Sequence, residues 1–444
     1  MASCEKKYTI LLLSAPIGSG HKLAAQALEQ SFALADNVQV VHGSIFDFFP
    51  GSIGNAFLRF YLWVLSYCPW LYELAYKWGN RQSGSLWLRN FINGTLASLA
   101  QDFIVRTNPD AVIATHATPA GIMAIYKKKF KPDLLLGAVV TDYTVHKWWL
   151  CEGVDVYFAA SENLRAQFDG IDAEVLPTGI PVRRQFYQAY DRQELRRKFN
   201  WSEQDIVCLL MGGGEGLLPM ESIVKAFHGY LPQRLKIIAV AGHNEILQHR
   251  LEIFKEIPLT VYGFTDDVPE LLLAADIVVT KAGGLTAAET LIAGCNYIIY
   301  KPLPGQETGN AVYLEQYCGA QVAGSPQEVK TMVCRYADVD SQVRLLQKQQ
   351  RSLKYGKPGA AEEISNYILK KLEKNYNKII SAESEFDNKF NENEIIYEKT
   401  AIYRPEQRKI QTGRDTGTRR IPWELERRYL YSGRKPGLCA GSVK

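Results

Sequence analysis

Several features that define common protein classes are missing from this chain of 444 residues. Its eight cysteines are scattered and form no C-x-x-C pair, so with no secretory signal they are expected to be reduced thiols in a cytosolic protein. No apolar run approaches the ~20 residues that a membrane-spanning helix needs. The net charge of +4 is too small to indicate a nucleic-acid partner. The composition therefore favours a globular α/β-type enzyme or binding protein of about two domains.

The first glycine-rich loop lacks the two best-known nucleotide signatures. It reads Ala15-Pro-Ile-Gly-Ser-Gly-His21, and it has neither a Walker pattern nor a full G-x-G-x-x-G, which disfavours ATP and NAD. A predicted strand at 8–14 precedes it, and a helix at 22–34 and a strand at 38–42 follow. This order predicts a doubly wound domain with ligands at the first turn. His21 can act there as a general base, or it is merely a polar residue in the first helical turn.

Polar residues also follow two later strands of this half. His116 comes after the predicted strand 111–115, and Asp142 and His146 come after the strand 134–140. Carboxyl ends of parallel strands form the usual ligand edge, although each residue could instead be a loop residue satisfied by the backbone. Their spacing is not that of a compact metal site, so no metal is predicted.

Residues 45–91 are dense in aromatic side chains with interspersed arginine and lysine and only two acids, Asp47 and Glu73. Amphipathic rings beside cations are typical of a segment that lies on an anionic bilayer. An aromatic core or a dimer interface would give a similar composition. We expect a peripheral protein at the inner face of the cell membrane.

The second half begins after the Pro/Gly-rich segment 177–183, which predicts a domain boundary. The strand 206–211 leads into Gly212-Gly-Gly-Glu-Gly216. The strand 277–280 leads into Lys281-Ala-Gly-Gly284 and a helix that carries Glu289. A strand, a glycine turn and a helix N-terminus form a phosphate site, although a turn shaped only for packing is the alternative. A second polar turn follows at 304–310, which suggests a nucleotide diphosphate with a group attached.

Composition changes again after about Lys374. The tail is first rich in Asn, Glu and Lys, and then in Arg, Thr and Tyr, with little apolar periodicity. It cannot bury a core of its own and is expected to be disordered or loosely attached, or to serve as a binding extension.

Taken in order, these motifs resemble the monogalactosyldiacylglycerol synthase and processive diacylglycerol glucosyltransferase family, which is related to the UDP-N-acetylglucosamine transferase of peptidoglycan lipid synthesis. Each motif alone is weak, and the ordered set from about Tyr8 to Leu372 is specific. The resemblance implies an α/β glycosyltransferase B fold, with two Rossmann-like domains across a cleft. The expected division is an acceptor- and membrane-binding domain at 1–178, a linker at 179–200, a UDP-sugar domain at 201–374 and the tail at 375–444.

The resemblance also implies roles for individual residues. The catalytic candidates are His21 and Asp142. The donor candidates, where uracil, diphosphate, ribose and sugar would bind, are Gly213, Gly214, Glu215, Phe264, Thr265, Lys281, Gly283, Gly284, Leu285, Thr286, Glu289, Gln306, Glu307 and Asn310. The acceptor candidates are Gly18, Gly20, His116, His146 and Trp148. Phe264 could cover a flat base, although an aromatic residue after a strand is more often part of the core.

The implied activity is inverting transfer of a hexose from a UDP-sugar to a membrane lipid hydroxyl, most simply that of diacylglycerol. No cofactor or metal is expected, since the UDP-sugar is itself the donor substrate. Two other functions fit parts of the pattern. A UDP-sugar 2-epimerase could use the same fold, although the aromatic segment argues against it. A non-catalytic UDP-sugar sensor could act through the tail.

Overall fold

The computed structural model describes residues 6–15, 19–49, 83–378 and 380–381. Within them, twelve strands form two parallel sheets of six strands each. Parallel sheets covered by helices on both faces need nearly continuous apolar strands, and the strands at the middle of both sheets are fully buried.

The first sheet has the order β2-β1-β3-β4-β5-β6. Its strands are β1 Tyr8–Ser14, β2 Val38–Ser44, β3 Ala111–Ala114, β4 Leu135–Val139, β5 Val156–Phe158 and β6 Glu174–Leu176. The order reverses between β1 and β3, which pair with Ile10 opposite Ala111. Ligands in such sheets bind beyond the carboxyl ends of the strands at this reversal, where the glycine loop and His116 follow.

The second sheet has the order β12-β11-β10-β7-β8-β9. Its strands are β7 Ile206–Met211, β8 Leu235–Val240, β9 Leu259–Tyr262, β10 Ile277–Thr280, β11 Asn296–Tyr300 and β12 Gln321–Ala323. Here the reversal lies between β7 and β10, whose register pairs Ile277 with Cys208. The glycine turns after β7 and β10 therefore meet at one edge, as the sequence predicts.

Helices cover both sheets. They are α1 Ser19–Phe32, α2 Ser83–Leu99, α3 Gln101–Thr107, α4 Ala117–Phe130, α5 Arg192–Lys198, α6 Met220–Ala226, α7 Glu245–Glu252, α8 Val268–Ala274, α9 Gly284–Ala293, α10 Gln306–Cys318, α11 Pro326–Ala337 and α12 Ser341–Tyr355, and residues 360–378 form a last helix, α13. One buried apolar cluster runs from Leu11 in β1 to Leu285 in α9, so side chains of the two halves pack together.

The last helix returns to the first sheet. Ala361, Ile364 and Ile368 pack with Ile10 and other residues of β1, β3, β4 and β5. By chain order the sequence places this helix with the second domain, but its apolar stripe has its partners on the first sheet. The chain therefore crosses between the two halves twice, near 177–183 and near 356–359.

The two crossings contact each other. Gly179 has a φ of +99°, and a β-carbon there would lie 2.6 Å from Lys357 Cβ and 3.4 Å from Ala360 Cβ. Only glycine combines that backbone angle with so close a neighbour.

Three predictions lie wholly or mostly outside the described residues. Most of the aromatic segment 45–91 does so, together with the tail beyond residue 381, and so does Gly18 of the acceptor candidates. The structure does show Ile45–Phe48 as a short 3-10 turn whose Phe46 and Phe48 are buried.

Candidate active site between the two sheets

The first turns of helices α1 and α9, one from each half, face each other. α1 begins at Ser19 and α9 begins at Gly284, and a β-carbon at Gly20 would lie 3.5 Å from Leu285 Cβ. Helix N-termini expose unpaired N–H groups and the positive end of the helix dipole. Two such ends at one place suit an anionic group held between them.

His21 is the first functional side chain on the α1 side. Its Nδ1 lies 2.8 Å from the Thr115 carbonyl oxygen and 2.9 Å from Thr141 Oγ1. A carbonyl oxygen can only accept, so Nδ1 carries the proton and Nε2 keeps its lone pair. Burial lowers the pKa of His21, while Asp142 and the bond to Thr115 act in the opposite direction. The ring is therefore a neutral base of fixed tautomer.

His116 lies beside His21 but has a structural bond of its own. The two rings meet edge to face with centroids 4.7 Å apart. His116 Nδ1 accepts a hydrogen bond from Thr118 N at 3.1 Å and so caps α4. Burial and the neighbouring His21 hold the pKa of His116 well below its usual range. His116 therefore contributes a neutral wall next to the candidate base.

Asp142 is buried at the end of β4, and its partner comes from the other half. Asn310 Nδ2 donates to Asp142 Oδ1 at 2.8 Å and to the Ala282 carbonyl at 3.0 Å. Asn310 Oδ1 accepts from Tyr143 N at 2.8 Å. Burial raises the pKa of Asp142, whereas Asn310 and then His21 act to lower it. The sequence predicts Asn310 at the donor sugar, but both of its amide hydrogens bond to protein oxygens.

His146 and Trp148 follow in the same loop. Both are at least half-buried, and His146 Nδ1 accepts from Trp148 N at 3.1 Å. Arg89 of α2 donates to the carbonyls of Lys147 and Leu150 at 3.1 and 3.3 Å. This loop therefore joins the end of β4 to helix α2.

Lys281 lies where the donor turns converge. Its Nζ is 2.7 Å from Glu307 Oε1, with both side chains mostly buried. Glu307 Oε2 also accepts from Leu303 N at 2.8 Å, which closes the turn before α10. β-carbons at Gly213 and Gly283 would lie 4.0 Å from Lys281 Cε and 3.8 Å from Glu307 Oε1. Residues from three separate turns thus lie next to the Lys281–Glu307 ion pair.

The loop after β7 is tightly folded against its neighbours. Gly214 is half-buried, its carbonyl accepts from His243 N at 2.8 Å, and Glu215 is exposed. A β-carbon at Gly216, which has a φ of +60°, would overlap the Ala241 carbonyl. The loop can therefore keep this shape only with glycine at that position.

Glu289 has a partner that the sequence does not predict. It is 3% exposed, and Oε1 lies 3.7 Å from an Arg183 amino nitrogen. Burial raises the pKa of Glu289 to about 7, although Arg183 acts to lower it. Arg183 comes from the segment that links the halves, so the predicted ribose carboxylate contacts the linker.

Phe264 is a surface ring and not a core residue. It is 60% exposed and stacks on His243, with centroids 4.2 Å apart and planes 11° from parallel. The Thr265 hydroxyl accepts from Asp267 N at 3.2 Å, ahead of α8. His243 was missed by the sequence reasoning, although its position after β8 at the ligand edge is a usable signal. The pair offers a flat face suited to a nucleobase.

The remaining donor candidates occupy the first turns of two helices. Gly284, Leu285 and Thr286 open α9, and Gln306 is a half-buried residue that opens α10. Gly284 abuts Thr141, since a β-carbon there would overlap its carbonyl oxygen. No helix among the described residues is long and apolar enough to cross a membrane. Over the same ranges, no three His, Cys, Asp or Glu side chains cluster in a way that could hold a metal ion.

Comparison with known proteins fits this geometry. The monogalactosyldiacylglycerol (MGDG) synthase family matches residues 21–182, and the glycosyltransferase family 28 C-terminal domain matches residues 207–378. A processive diacylglycerol β-glucosyltransferase of Bacillus cereus is 30% identical over 377 residues, covering 82% of this chain and 94% of the relative. The chain belongs to the diacylglycerol glycosyltransferase family.

A second member of this family, from Bacillus pumilus, carries the same name and is 27% identical over 355 residues, with 78% of this chain and 90% of the relative covered. His21, the glycine loop after β7 and the turns that hold Lys281 and Glu307 lie within the matched domains. The resemblance that the sequence motifs indicate is therefore confirmed.

Solved structures confirm the fold. MurG of Acinetobacter baumannii superposes with a TM-score of 0.54 at 16% identity, covering 82% of this chain and 99% of that chain. The structure of TcCGT1 in complex with UDP gives 0.54 at 14% identity, with 83% and 100% covered. The UDP-GlcNAc 2-epimerase of Neisseria meningitidis gives 0.52 at 13% identity, with 82% and 100% covered. The protein has the glycosyltransferase B fold, which the epimerase shares.

Proposed function

We propose that the protein transfers a hexose from a UDP-sugar to the hydroxyl of diacylglycerol, with inversion at the anomeric carbon. The observation that carries the proposal is the approach of α1 with His21 to α9 with its glycine turn. A base from one half thereby faces an anion site from the other. The names of the Bacillus relatives support the lipid and the sugar transfer, and membership of the family supports a UDP-sugar as the donor.

The donor side is built to stabilise a leaving diphosphate. The N-terminus of α9 supplies N–H groups and a positive dipole end, and Lys281 supplies a full charge between the two glycine turns. Glu289 accepts ribose hydroxyls, and the Phe264–His243 face stacks with uracil. The N-terminus of α9 and Lys281 supply the positive charge that the departing UDP needs, so we propose that transfer requires no metal ion.

The acceptor side activates a weak nucleophile. A lipid hydroxyl gives its proton to His21 Nε2 while its oxygen bonds to the anomeric carbon and the bond from that carbon to UDP breaks. The Thr115 carbonyl holds the ring through Nδ1. Asp142 favours the imidazolium that forms, because its charge acts to raise the pKa of His21.

Helix α2 supports a membrane surface on the first half. Its Phe91 and Ile92 are 63% and 45% exposed, and a β-carbon at Gly94 would lie 3.9 Å from the Lys129 ammonium. Exposed apolar side chains beside lysine suit the interface of an anionic bilayer. Arg89 fastens this helix to the loop of His146 and Trp148, so a helix at the membrane would bring the acceptor loop close to the lipid. We propose peripheral association on this basis.

The experiment supplies the purified protein with each candidate UDP-sugar and with vesicles of anionic phospholipid containing diacylglycerol. The expected result is a hexosyl-diacylglycerol, identified by mass spectrometry, with release of one UDP per product, and the same yield in excess EDTA. Conversion of the UDP-sugar to its epimer without a lipid product would establish an epimerase. Binding of UDP-sugar with neither product would establish a sensor. Loss of transfer in EDTA, restored by a divalent cation, would overturn metal independence.

A further inference from the structure

Asn310 is a buried polar side chain that lies between the two halves. It is fully buried, in the second turn of α10, and its amide makes three hydrogen bonds. Nδ2 faces two acceptors, the Asp142 carboxylate and the Ala282 carbonyl, while Oδ1 faces the Tyr143 N–H. These partners fix the orientation of the amide, because exchanging N and O would set like against like at all three contacts.

The partners of Asn310 belong to both halves of the protein. Asp142 and Tyr143 follow β4 of the first sheet, whereas Ala282 follows β10 of the second. One side chain therefore bonds simultaneously to the candidate catalytic loop and to the turn that carries Lys281 and Gly283. A buried hydrogen bond to a charged group is stronger than one between neutral groups, so this is a strong link between the halves.

Backbone packing around Asn310 makes the same connection. A β-carbon at Gly309 would lie 2.8 Å from Thr144 Cγ2, and one at Gly284 would overlap the Thr141 carbonyl. Residues 141–144 are thus in contact with the first turns of both α9 and α10. The close approach needs glycine at both positions, and it presents Asn310 to Asp142.

The charges that face Asp142 give this link a chemical role. His21 of α1 and Glu307 of α10 act on the Asp142 carboxyl in opposite directions. Glu307 is itself paired with Lys281, and His116 faces His21. Among these groups, Asn310 is the donor that bonds directly to the Asp142 oxygen. Removing it leaves a buried carboxylate without that hydrogen bond, which favours the protonated form.

We propose that Asn310 is a positioning residue that fastens the Asp142 loop to the donor half and keeps Asp142 ionised beside His21, and that it is not a ligand of the donor sugar. The role of Asp142 rests on the proposed function. The link itself does not, because it consists of bonds within the protein. A consequence of the link is that Asp142 is held beside His21, the proposed base, only while the two halves are together.

Two variants test this inference. Asn310→Ala removes all three bonds and is expected to lower kcat about 10- to 100-fold, as a displaced catalytic group does, with the KM for the UDP-sugar within about twofold. Without the Asn310 bond the pKa of Asp142 rises, so protonation of Asp142, in place of that of His21, is expected to set the acid limb of kcat and to move it to higher pH. Asn310→Asp keeps the acceptor for Tyr143 and sets a second carboxyl against Asp142. One proton shared by the pair preserves the link, so this variant is expected to work best at low pH and to fail as pH rises.

Gln316→Ala is the matched control, because Gln316 is exposed in the last turn of the same helix, away from the donor turn, and it is expected to leave the pH profile unchanged. Hydrogen exchange gives a readout that needs no acceptor. The Tyr143 N–H is expected to exchange faster in Asn310→Ala than in the wild type, at equal UDP affinity. A raised KM with an unchanged pH profile and unchanged exchange would make Asn310 a sugar ligand and overturn the inference. Absence of transfer by the wild type would instead overturn the proposed function, and the exchange comparison would still decide the link.

Discussion

Lys281 Nζ and Glu307 Oε1 form a mostly buried ion pair, 2.7 Å apart, between the turn after β10 and the start of α10. Gly213 lies next to the Lys281 side chain and Gly283 next to Glu307, where the diphosphate is proposed to bind. In that proposal, diphosphate and Glu307 share one cation.

Substitutions of the two partners are expected to change UDP affinity in opposite directions. Lys281→Met is expected to weaken UDP binding about 10- to 100-fold, because a charge-assisted contact to phosphate is lost. Glu307→Gln is expected to tighten UDP several-fold, since Lys281 no longer shares its charge with a carboxylate. Calorimetric titration with UDP measures both. Weaker binding in both variants would show that the pair acts only as a unit.

His21→Asn is expected to lower kcat by about 10²- to 10⁴-fold, the usual contribution of a general base, with UDP affinity unchanged. In the wild type, the acid limb of kcat is expected below pH 6.5, because burial lowers the pKa of His21 and keeps Nε2 unprotonated. His228→Ala is the control, since His228 is an exposed histidine paired with Glu256. Full transfer activity in His21→Asn would exclude it as the base.

Binding of UDP is expected to release a proton from Glu289. Burial raises the pKa of this carboxyl to about 7, so near pH 6 it is largely protonated, and ribose hydroxyls that donate to it favour the ionised form. Affinity is therefore expected to rise with pH up to about 7 and to level off above it. Titration calorimetry in buffers of different ionisation enthalpy counts the proton. Glu289→Gln is expected to abolish the release, and a pH-independent wild-type affinity would contradict the assignment.

Substitution of Asp276, which directly precedes β10, is expected to lower the stability of the fold strongly. Asp276 accepts from Arg192 at 2.6 Å, Arg196 at 3.2 Å and Val207 N at 2.9 Å, and it is almost fully buried. Asp276→Asn leaves two arginines without their charge partner and is expected to cost about 3–5 kcal/mol of unfolding free energy. Urea unfolding measures this. Asp266→Asn, at an exposed aspartate, is the control, and equal midpoints for the two variants would contradict the prediction.

Much of the fold could be predicted from local signals. The apolar runs that precede the glycine turns coincide with β1, β7 and β10, because a strand buried on both faces must be continuously apolar. The proximity of His21, His116 and Asp142 could also be predicted, because parallel strands place their carboxyl ends at one edge of the sheet. The assignments of donor and acceptor residues to ligand groups stay predictions, as does the division into domains.

Contacts across the cleft could not be predicted in the same way. Asn310 and Asp142 are 168 positions apart, and no local pattern marks one as the partner of the other. The contact between Arg183 and Glu289 could not be predicted from the sequence for the same reason. The last helix shows the limit most clearly, because an apolar stripe reveals that a helix is buried but not which sheet covers it.

The double crossing of the chain determines how such a protein can open. Gly179 lies against Lys357 and Ala360. The two covalent connections therefore run side by side and together form one hinge. One connection alone would let the halves swivel freely, whereas two adjacent ones restrict them to rotation about that point. It follows that a fragment ending at the first connection lacks α13, the outer cover of β1 and β4, and is expected to aggregate. The strands and helices of the second half all lie in the stretch of chain between the two connections. This half is therefore the part that could be expressed alone or exchanged for that of a relative.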